Sequence, residues 1–417
     1  MNIERFPLKP IAMKSKILNP VCLALLSLIA FSCTKEIPIV PITDVALSKT
    51  SLLVKVGSSD TLKVVISPLD ATSTNLKWTS DNPAIATIST EGVVTGVAPG
   101  NATITATTAD GKITKTCAVN TIKWTIYQPN HSYSDYQRSF VVADAEGNIW
   151  CGSVDLNKFD GRNWTTYLLG YGISAMAIDA RGNKWFGTYG SGVFKFDGTN
   201  WTNYTAENSG LTDNTIIKNA ITVDSQGNVW FGTSSRVRGT GVSKFDGTKW
   251  TTYNSDNGLV YNLVLSIASD AQGNKWFATG KGISKFDGAT WTSYTSLNSK
   301  NELVDGAYFI AIDAQGNKWI ATSHGVLKFD GTNWTTYSTS NSGLAYDEIT
   351  SIAIDAKGNK WFGTLMGVSK FDGTDWTNFG PGSGLDYAVS SIAIDPQGNK
   401  WLWTGIGLYK LEDGSIN

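Results

Sequence analysis

The sequence predicts an all-β protein, a small β-sandwich followed by a seven-bladed β-propeller, and three observations carry that reading. The 417 residues combine 16 Trp, 15 Tyr and 16 Phe with 42 Gly, a pairing expected of many short strands joined by tight turns. Between residues 42 and 121, short apolar runs alternate with polar residues at period two, the mark of half-buried strands. Beyond residue 122 one motif recurs every 35 to 46 residues, a period that belongs to a propeller or a solenoid.

The first 32 residues stand apart from this pattern. Arg5, Lys9, Lys14 and Lys16 precede an uncharged apolar run from Ile17 to Phe31, too short to span a bilayer as a helix and of the length of a secretory h-region. Met13 offers an alternative start of more usual signal length. The run ends Ala30-Phe31-Ser32-Cys33, which resembles the lipobox of bacterial lipoproteins, with Ala30 where that motif usually has Leu, Val or Ile. The resemblance implies that Cys33 is the lipidated first residue of the mature chain, followed by a tether over 33–41. It implies a cell-envelope location, outer membrane in the first instance, with the lipid as the sole membrane contact.

Removing Arg5, Lys9, Lys14, Lys16 and Glu4 leaves 30 basic and 34 acidic residues after Cys33 and no basic run, which argues against a nucleic-acid partner. Cys117 and Cys151 are read as buried thiols rather than a disulfide.

Over 42–121 the strands include Leu52-Leu53-Val54, Leu62-Lys63-Val64-Val65-Ile66 and Ala102-Thr103-Ile104-Thr105, with Trp78 placed to fill the space between two sheets. The runs Val45-Ala46-Leu47-Ser48, Trp78-Thr79-Ser80-Asp81-Asn82-Pro83 and Gly92-Val93-Val94-Thr95-Gly96-Val97-Ala98-Pro99-Gly100 resemble the bacterial Ig-like group 2 domain. That resemblance implies a spacer or adhesive module without an active site.

From residue 123 to 417 the repeat reads Asp-x-x-Gly-Asn-x-Trp, then Lys-Phe-Asp-Gly, then Trp-Thr-x-Tyr, with the first Trp at 150, 185, 230, 276, 319, 361 and 401. Four strands per unit make a propeller blade. Trp124-Thr125-Ile126-Tyr127 is an outermost strand with no blade before it, and the last unit ends at Leu411 without one. Joining 123–127 to 406–411 completes a seventh blade and hides two sheet edges. The repeated Asp and Gly serve turns, and the repeated Trp serves the core, so none of them is an active-site candidate. These units resemble the two-component regulator propeller repeats of periplasmic sensors. Ligand detection is the expectation carried over; the kinase and membrane helix of those sensors have no counterpart in these residues.

Candidate binding residues lie where the repeat varies, on the loops between second and third strands and on the crossings between blades. The former supply Tyr189, the segment Ser234 to Thr240 with Arg236 and Arg238, then Lys281, His324 and Met366. The latter supply Tyr261, Tyr308, Tyr346 and Tyr387, beside Asp305, Asp347 and Glu348. Tyr faces stack on sugars and charged neighbours bond hydroxyls, which points to an oligosaccharide, with a surface protein as the other partner class. No cofactor, metal site or catalytic set is expected. The competing reading is an enzyme: the repeat also resembles streptogramin lyase, which implies a His and Glu constellation with magnesium. The two histidines, His131 and His324, fall almost across the ring from each other, and His324 would have to work with Glu348. A purely structural adhesin is the third reading.

Overall fold

The computed structural model describes residues 39–129, 140–152, 154–167, 172–235, 238–295 and 306–412. Cys33, the tether up to residue 38, His131, Arg236 and Asp305 lie outside the described residues. No helix among the described residues is long and apolar enough to cross a membrane.

The sandwich forms because its strands are apolar on alternate residues. Along Gly100–Thr108, Ala102, Ile104 and Ala106 are buried and the residues between them are not. One sheet runs Leu76–Ser80, Gly100–Thr108, Thr114–Tyr127, with Ser51–Lys55 parallel to the last. The opposite layer holds Ser59–Thr61, Val93–Gly96 and Ala86–Ile88 in one sheet, and Asp44–Leu47 pairs with Val64–Ser67. Leu52, Val54, Leu62, Val94, Ile104, Cys117 and Val119 meet between the layers, with Trp78 packed against them. Gly92 makes room for that ring: at φ +82° a Cβ would lie 2.8 Å from the Leu62 carbonyl and 3.3 Å from the indole.

Six blades each take four consecutive antiparallel strands, over residues 140–167, 173–204, 216–253, 264–294, 309–337 and 349–379. The seventh is composite. Val389–Ile394, Lys400–Thr404 and Gly407–Glu412 are completed by residues 123–127, with Lys123 opposite Glu412 and Tyr127 opposite Leu408. The register therefore starts at 408 rather than 406, because Ile406 sits in the turn between Thr404 and Gly407. On the inner side the Ser391 hydroxyl accepts the Val141 N–H at 3.1 Å, so the last blade is also tied to the first at the channel wall. Ser266 and Ser351 make the same bridge to Ile310 and Ile392. The channel is a narrow space of about 210 Å³ lined by Val141, Met176, Ile221, Ile267, Ile310 and Ile392 among others.

One 14-residue strand, Thr114–Tyr127, belongs to both domains. Its first half pairs in the sandwich and its second half in the seventh blade, and Ile122 between them is fully buried. Ile122, with Leu53 beside it, packs in the cluster that holds Leu385, Tyr409 and Leu411 of the propeller. Trp124 closes the joint, its indole N–H donating to the Ser383 carbonyl at 2.9 Å. A shared strand and a shared core make the junction stiff, because bending it would expose apolar surface and break ladder bonds.

Candidate ligand-binding face

The two ends of the ring differ in what their turns are made of. At one end each Asp-x-x-Gly-Asn turn closes on its own carboxylate. Asp224 Oδ1 accepts the N–H groups of Gln226 and Asn228, while Oδ2 accepts the Asn228 amide at 2.9 Å and the Trp230 indole N–H at 2.9 Å. All seven blades repeat the indole bond, at 2.8 to 3.1 Å. The repeated Trp is therefore a polar anchor as well as core, which its apolar area alone does not reveal. Each ring also reaches the next blade: Trp319, stacked on Tyr337 of its own blade at 5.7 Å, lies 6.1 Å from Phe362 and Phe371 of the next. The Phe-Asp-Gly turns share this end. Donors from Lys249, Thr248 and the Thr248 hydroxyl hold Asp246 down at about 2, and the Thr290 hydroxyl with the Thr290 and Ala289 amides does the same for Asp287.

At the other end the frame repeats and its cargo changes. In blades 4 to 7 the turn between second and third strands is Thr-x-x-Gly. The Thr hydroxyl donates to the Gly carbonyl and accepts the N–H of the residue before that Gly. That residue is Lys281, His324, Met366 and Ile406 in turn, one frame with four different side chains. The Gly is required: at Gly325, φ is +106° and a Cβ would stand 2.2 Å from the Tyr337 carbonyl.

The expected site residues fall on this end as follows. Tyr261 and Lys281 meet, the ammonium 4.6 Å from the ring centroid. Tyr387 lies 6.5 Å from Tyr409. Tyr308, Tyr346, Met366 and Tyr387 are exposed, at 41, 36, 50 and 42%. His324 is exposed and its Nδ1 lies 2.8 Å from the Ser323 hydroxyl. Glu348 is exposed, and no hydrogen bond or ion pair joins it to His324 among the described residues. The segment read as a loop from Ser234 to Thr240 is mostly strand among its described residues: Ser235 pairs with Arg238 and Ser234 with Gly239. Tyr189 is half-buried with its N–H on the Gly172 carbonyl, and Ser191 holds the variable position of that blade, bonded to Thr188 Oγ1. Asp347 is structural, accepting the N–H and hydroxyl of Thr339.

Sequence reasoning missed Val154 and Ile406. Both are exposed apolar residues on second-to-third turns, and the Thr-x-x-Gly spacing marks Ile406 as the equivalent of Met366. With them a pattern emerges. Among the described propeller residues, every large apolar side chain that is strongly exposed lies on this face except Ile126, and they form an arc from the crossing into blade 5 round to blade 1.

The sandwich stands at the opposite end. The shared strand enters the seventh blade at Lys123, beside Glu412, and reaches the variable end only at Tyr127. Between the outer sandwich sheet and blade 6 lies a cleft of about 550 Å³, lined by Leu53, Asn101, Thr103, Asn120, Trp376 and Asn378 among others. Its polar groups already bond to protein: Asn120 to Asn101 at 2.8 Å, Asn378 to the Gly343 carbonyl, and Thr103 N–H to Asp81. We read it as the seam between domains. Cys117 and Cys151 are free and buried, one in each domain, and burial pushes both thiols up. No three His, Cys, Asp or Glu cluster as metal ligands among the described residues.

Comparison with known proteins fits this division. Residues 41–119 match the bacterial Ig-like domain (group 2), and residues 210–235 match the two component regulator propeller. An Ig-like virion protein of Serratia phage KSP90 is 40% identical over 82 residues, 19% of this chain and 32% of that protein. The extracellular domain assigned to a hybrid two-component system of B. thetaiotaomicron superposes with a TM-score of 0.60 at 21% identity, over 75% of this chain and 44% of that one. Virginiamycin B lyase from Staphylococcus aureus gives 0.57 at 14% identity, over 70% and 99%. The chain thus spans about a third of the phage protein and under half of the sensor domain, and the structural likenesses establish the fold. Residues 41–119 match the bacterial Ig-like group 2 domain, and the ring beyond them is a β-propeller in which residues 210–235 match a two component regulator propeller repeat.

Proposed function

We propose that this chain is an envelope-tethered, non-catalytic binding protein that presents the variable face of its propeller to glycan fragments, as a sensor or capture module. One observation carries the reading: the exposed apolar side chains of the ring gather on the end that points away from the sandwich. Exposed apolar surface costs solvation free energy, so its concentration on one end marks a binding surface. Tyr308, Tyr346 and Tyr387 offer flat faces to sugar rings, while Lys281, His324, Glu348 and Arg238 stand ready for hydroxyl or carboxylate groups. Lipidation at Cys33 would fix the chain to the envelope, with the sandwich as a stiff spacer.

A thermal-shift screen against neutral and acidic oligosaccharides tests this. A ligand held only by the folded state at about a hundred times its Kd adds roughly 2.7 kcal/mol, a rise of several degrees. The double substitution Tyr308→Ala with His324→Ala is expected to remove that rise and leave the unliganded melting point within a few degrees. Chromatography of the recovered sugar should find it unchanged; a product would favour the lyase reading instead.

A further inference from the structure

The turn end of the ring holds a second feature that the binding reading does not use. In five of the seven blades the motif continues Asn-Lys-Trp, and the lysine reaches back to the blade before it. Its ammonium lies over the preceding Trp ring, at 5.9 Å for Lys184, 5.5 Å for Lys275, 4.5 Å for Lys318, 5.0 Å for Lys360 and 5.1 Å for Lys400. Where it also reaches the carboxylate, it completes the turn: Lys275 Nζ is 3.3 Å from Asp224 Oδ2 and Lys360 Nζ 3.7 Å from Asp313 Oδ2. A second lysine, from the Lys-Phe-Asp-Gly strand of the same blade, covers each of these rings too, as Lys244 does at 5.5 Å from Trp230. Five indoles therefore carry two ammonium groups each.

Among the described residues Trp185 in blade 2 has only its own Lys195 over it, at 5.3 Å, because the position that should supply the second lysine is Val229. The shorter side chain leaves a pocket of about 360 Å³ between blades 2 and 3. Asp179, Trp185, Tyr204 and Asp246 line it, with Arg181 and Lys195 as its cations. Asp179 keeps the motif bonds, Oδ2 accepting from Asn183 Nδ2 at 2.8 Å and Trp185 Nε1 at 3.1 Å. Burial pushes its carboxyl up, but these bonds outweigh burial and hold it below its ordinary value, so it is an anion at neutral pH. The other blade without the lysine behaves differently. Ile149 packs in one cluster with Trp401, Asp395 is only 6% exposed, and the Gln397 amide lies against Gly147.

We infer that the pocket between blades 2 and 3 binds a primary alkylammonium group, which takes the place over Trp185 that a lysine of the chain takes over the Trp of five other blades, beside Asp179 as Lys275 stands beside Asp224 and Lys360 beside Asp313. The ring quadrupole and a hydrogen-bonded carboxylate form the same receptor there, open to a ligand from outside. Lys195 does not forbid it, since the equivalent lysine shares its ring with a second ammonium in those five blades. The site is remote from the variable face and does not depend on the glycan reading.

The test follows the Trp185 indole N–H by NMR, assigned with Trp185→Phe, as n-pentylamine is titrated into the whole chain, with n-pentanol as the neutral control. The amine should shift that resonance saturably with a Kd on the order of 1 to 10 mM, as befits so small a ligand, and the alcohol should not. Val229→Lys should weaken amine binding at least tenfold and displace the resonance before any amine is added. Val229→Ala should bind within about threefold of the parent, and Asp179→Asn at least tenfold worse, so that a poorly folding Val229→Lys leaves the question decidable. Nα-acetyl-lysine methylamide and glucosamine as further probes separate a lysine side chain from an amino sugar as the source. Absence of a saturable shift in the parent, equal response to pentanol, or parental affinity in both Val229→Lys and Asp179→Asn would overturn the inference.

Discussion

The two ends of the propeller are made by the same strands, yet one end is closed chemically and the other is open. At the Asp-x-x-Gly-Asn end, carboxylates accept turn amides, indole N–H groups and, from the next blade, lysines, so each turn is locked by bonds that repeat from blade to blade. At the Thr-x-x-Gly end the backbone is locked equally well, but the residue held out to solvent changes from Lys281 to His324, Met366 and Ile406. Sameness in side-chain bonding builds the frame. Variation on an unchanged backbone is where selection for a ligand can act without cost to the fold.

The hardest test of the frame is the composite blade. Deleting residues 123–127 removes its outer strand and uncovers Phe379, Leu385 and Tyr409, and should lower the melting temperature by at least ~10 °C and broaden the transition. A deletion that melts like the parent would contradict the pairing of residues 123–127 with Leu408 to Glu412.

Next in size is the turn end. Asp224→Ala leaves the Trp230 N–H, the Asn228 amide and the buried Lys275 without their acceptor, and should cost about 3 kcal/mol in urea unfolding. The matching change at the open end, Met366→Ser or His324→Ser, should stay within about 0.5 kcal/mol, since neither side chain is buried. If the two ends lose similar stability, the division between frame and display is wrong.

The smallest effect is in acid. Asp246 and Asp287 titrate at about 2 in the fold rather than at their ordinary 3.8, so the folded state favours the ionised form. Their contribution is whole above pH ~4 and is lost as pH falls toward 2, where protonation removes the acceptors. Unfolding measured at pH 7, 4 and 2 should show stability falling over the last interval, and Asp246→Asn with Asp287→Asn should flatten that fall.

Fold class was legible because each level of the sequence agreed: period two in the sandwich, a fixed motif in the ring, and an orphan strand at Trp124. Less legible were features that depend on partners distant in the chain. Nothing local says that the Asp224 carboxylate receives Lys275 from the next blade, and the strand over Thr114–Tyr127 hides a domain boundary inside one unbroken ladder. The candidate face was legible by its variation, which picked out Tyr308, Tyr346, Met366 and Tyr387. Ile406 and Val154 escaped because single apolar residues in turns carry no signal until exposure is known. Tyr189 misled for the opposite reason: a Tyr in a turn looks available, but the extra residue in that loop moves it inward and puts Ser191 at the display position.

Hydrogen exchange of the whole chain, with and without a saturating oligosaccharide from the thermal-shift screen, tests the central claim most directly. The account predicts slowed exchange in the Thr-x-x-Gly turns and crossings around Tyr308, His324, Tyr346, Met366 and Tyr387, with the Asp turns and the sandwich unchanged. Protection confined to the Asp-turn end or to the seam at Asn120 and Trp376, or no oligosaccharide that protects any segment, would contradict it.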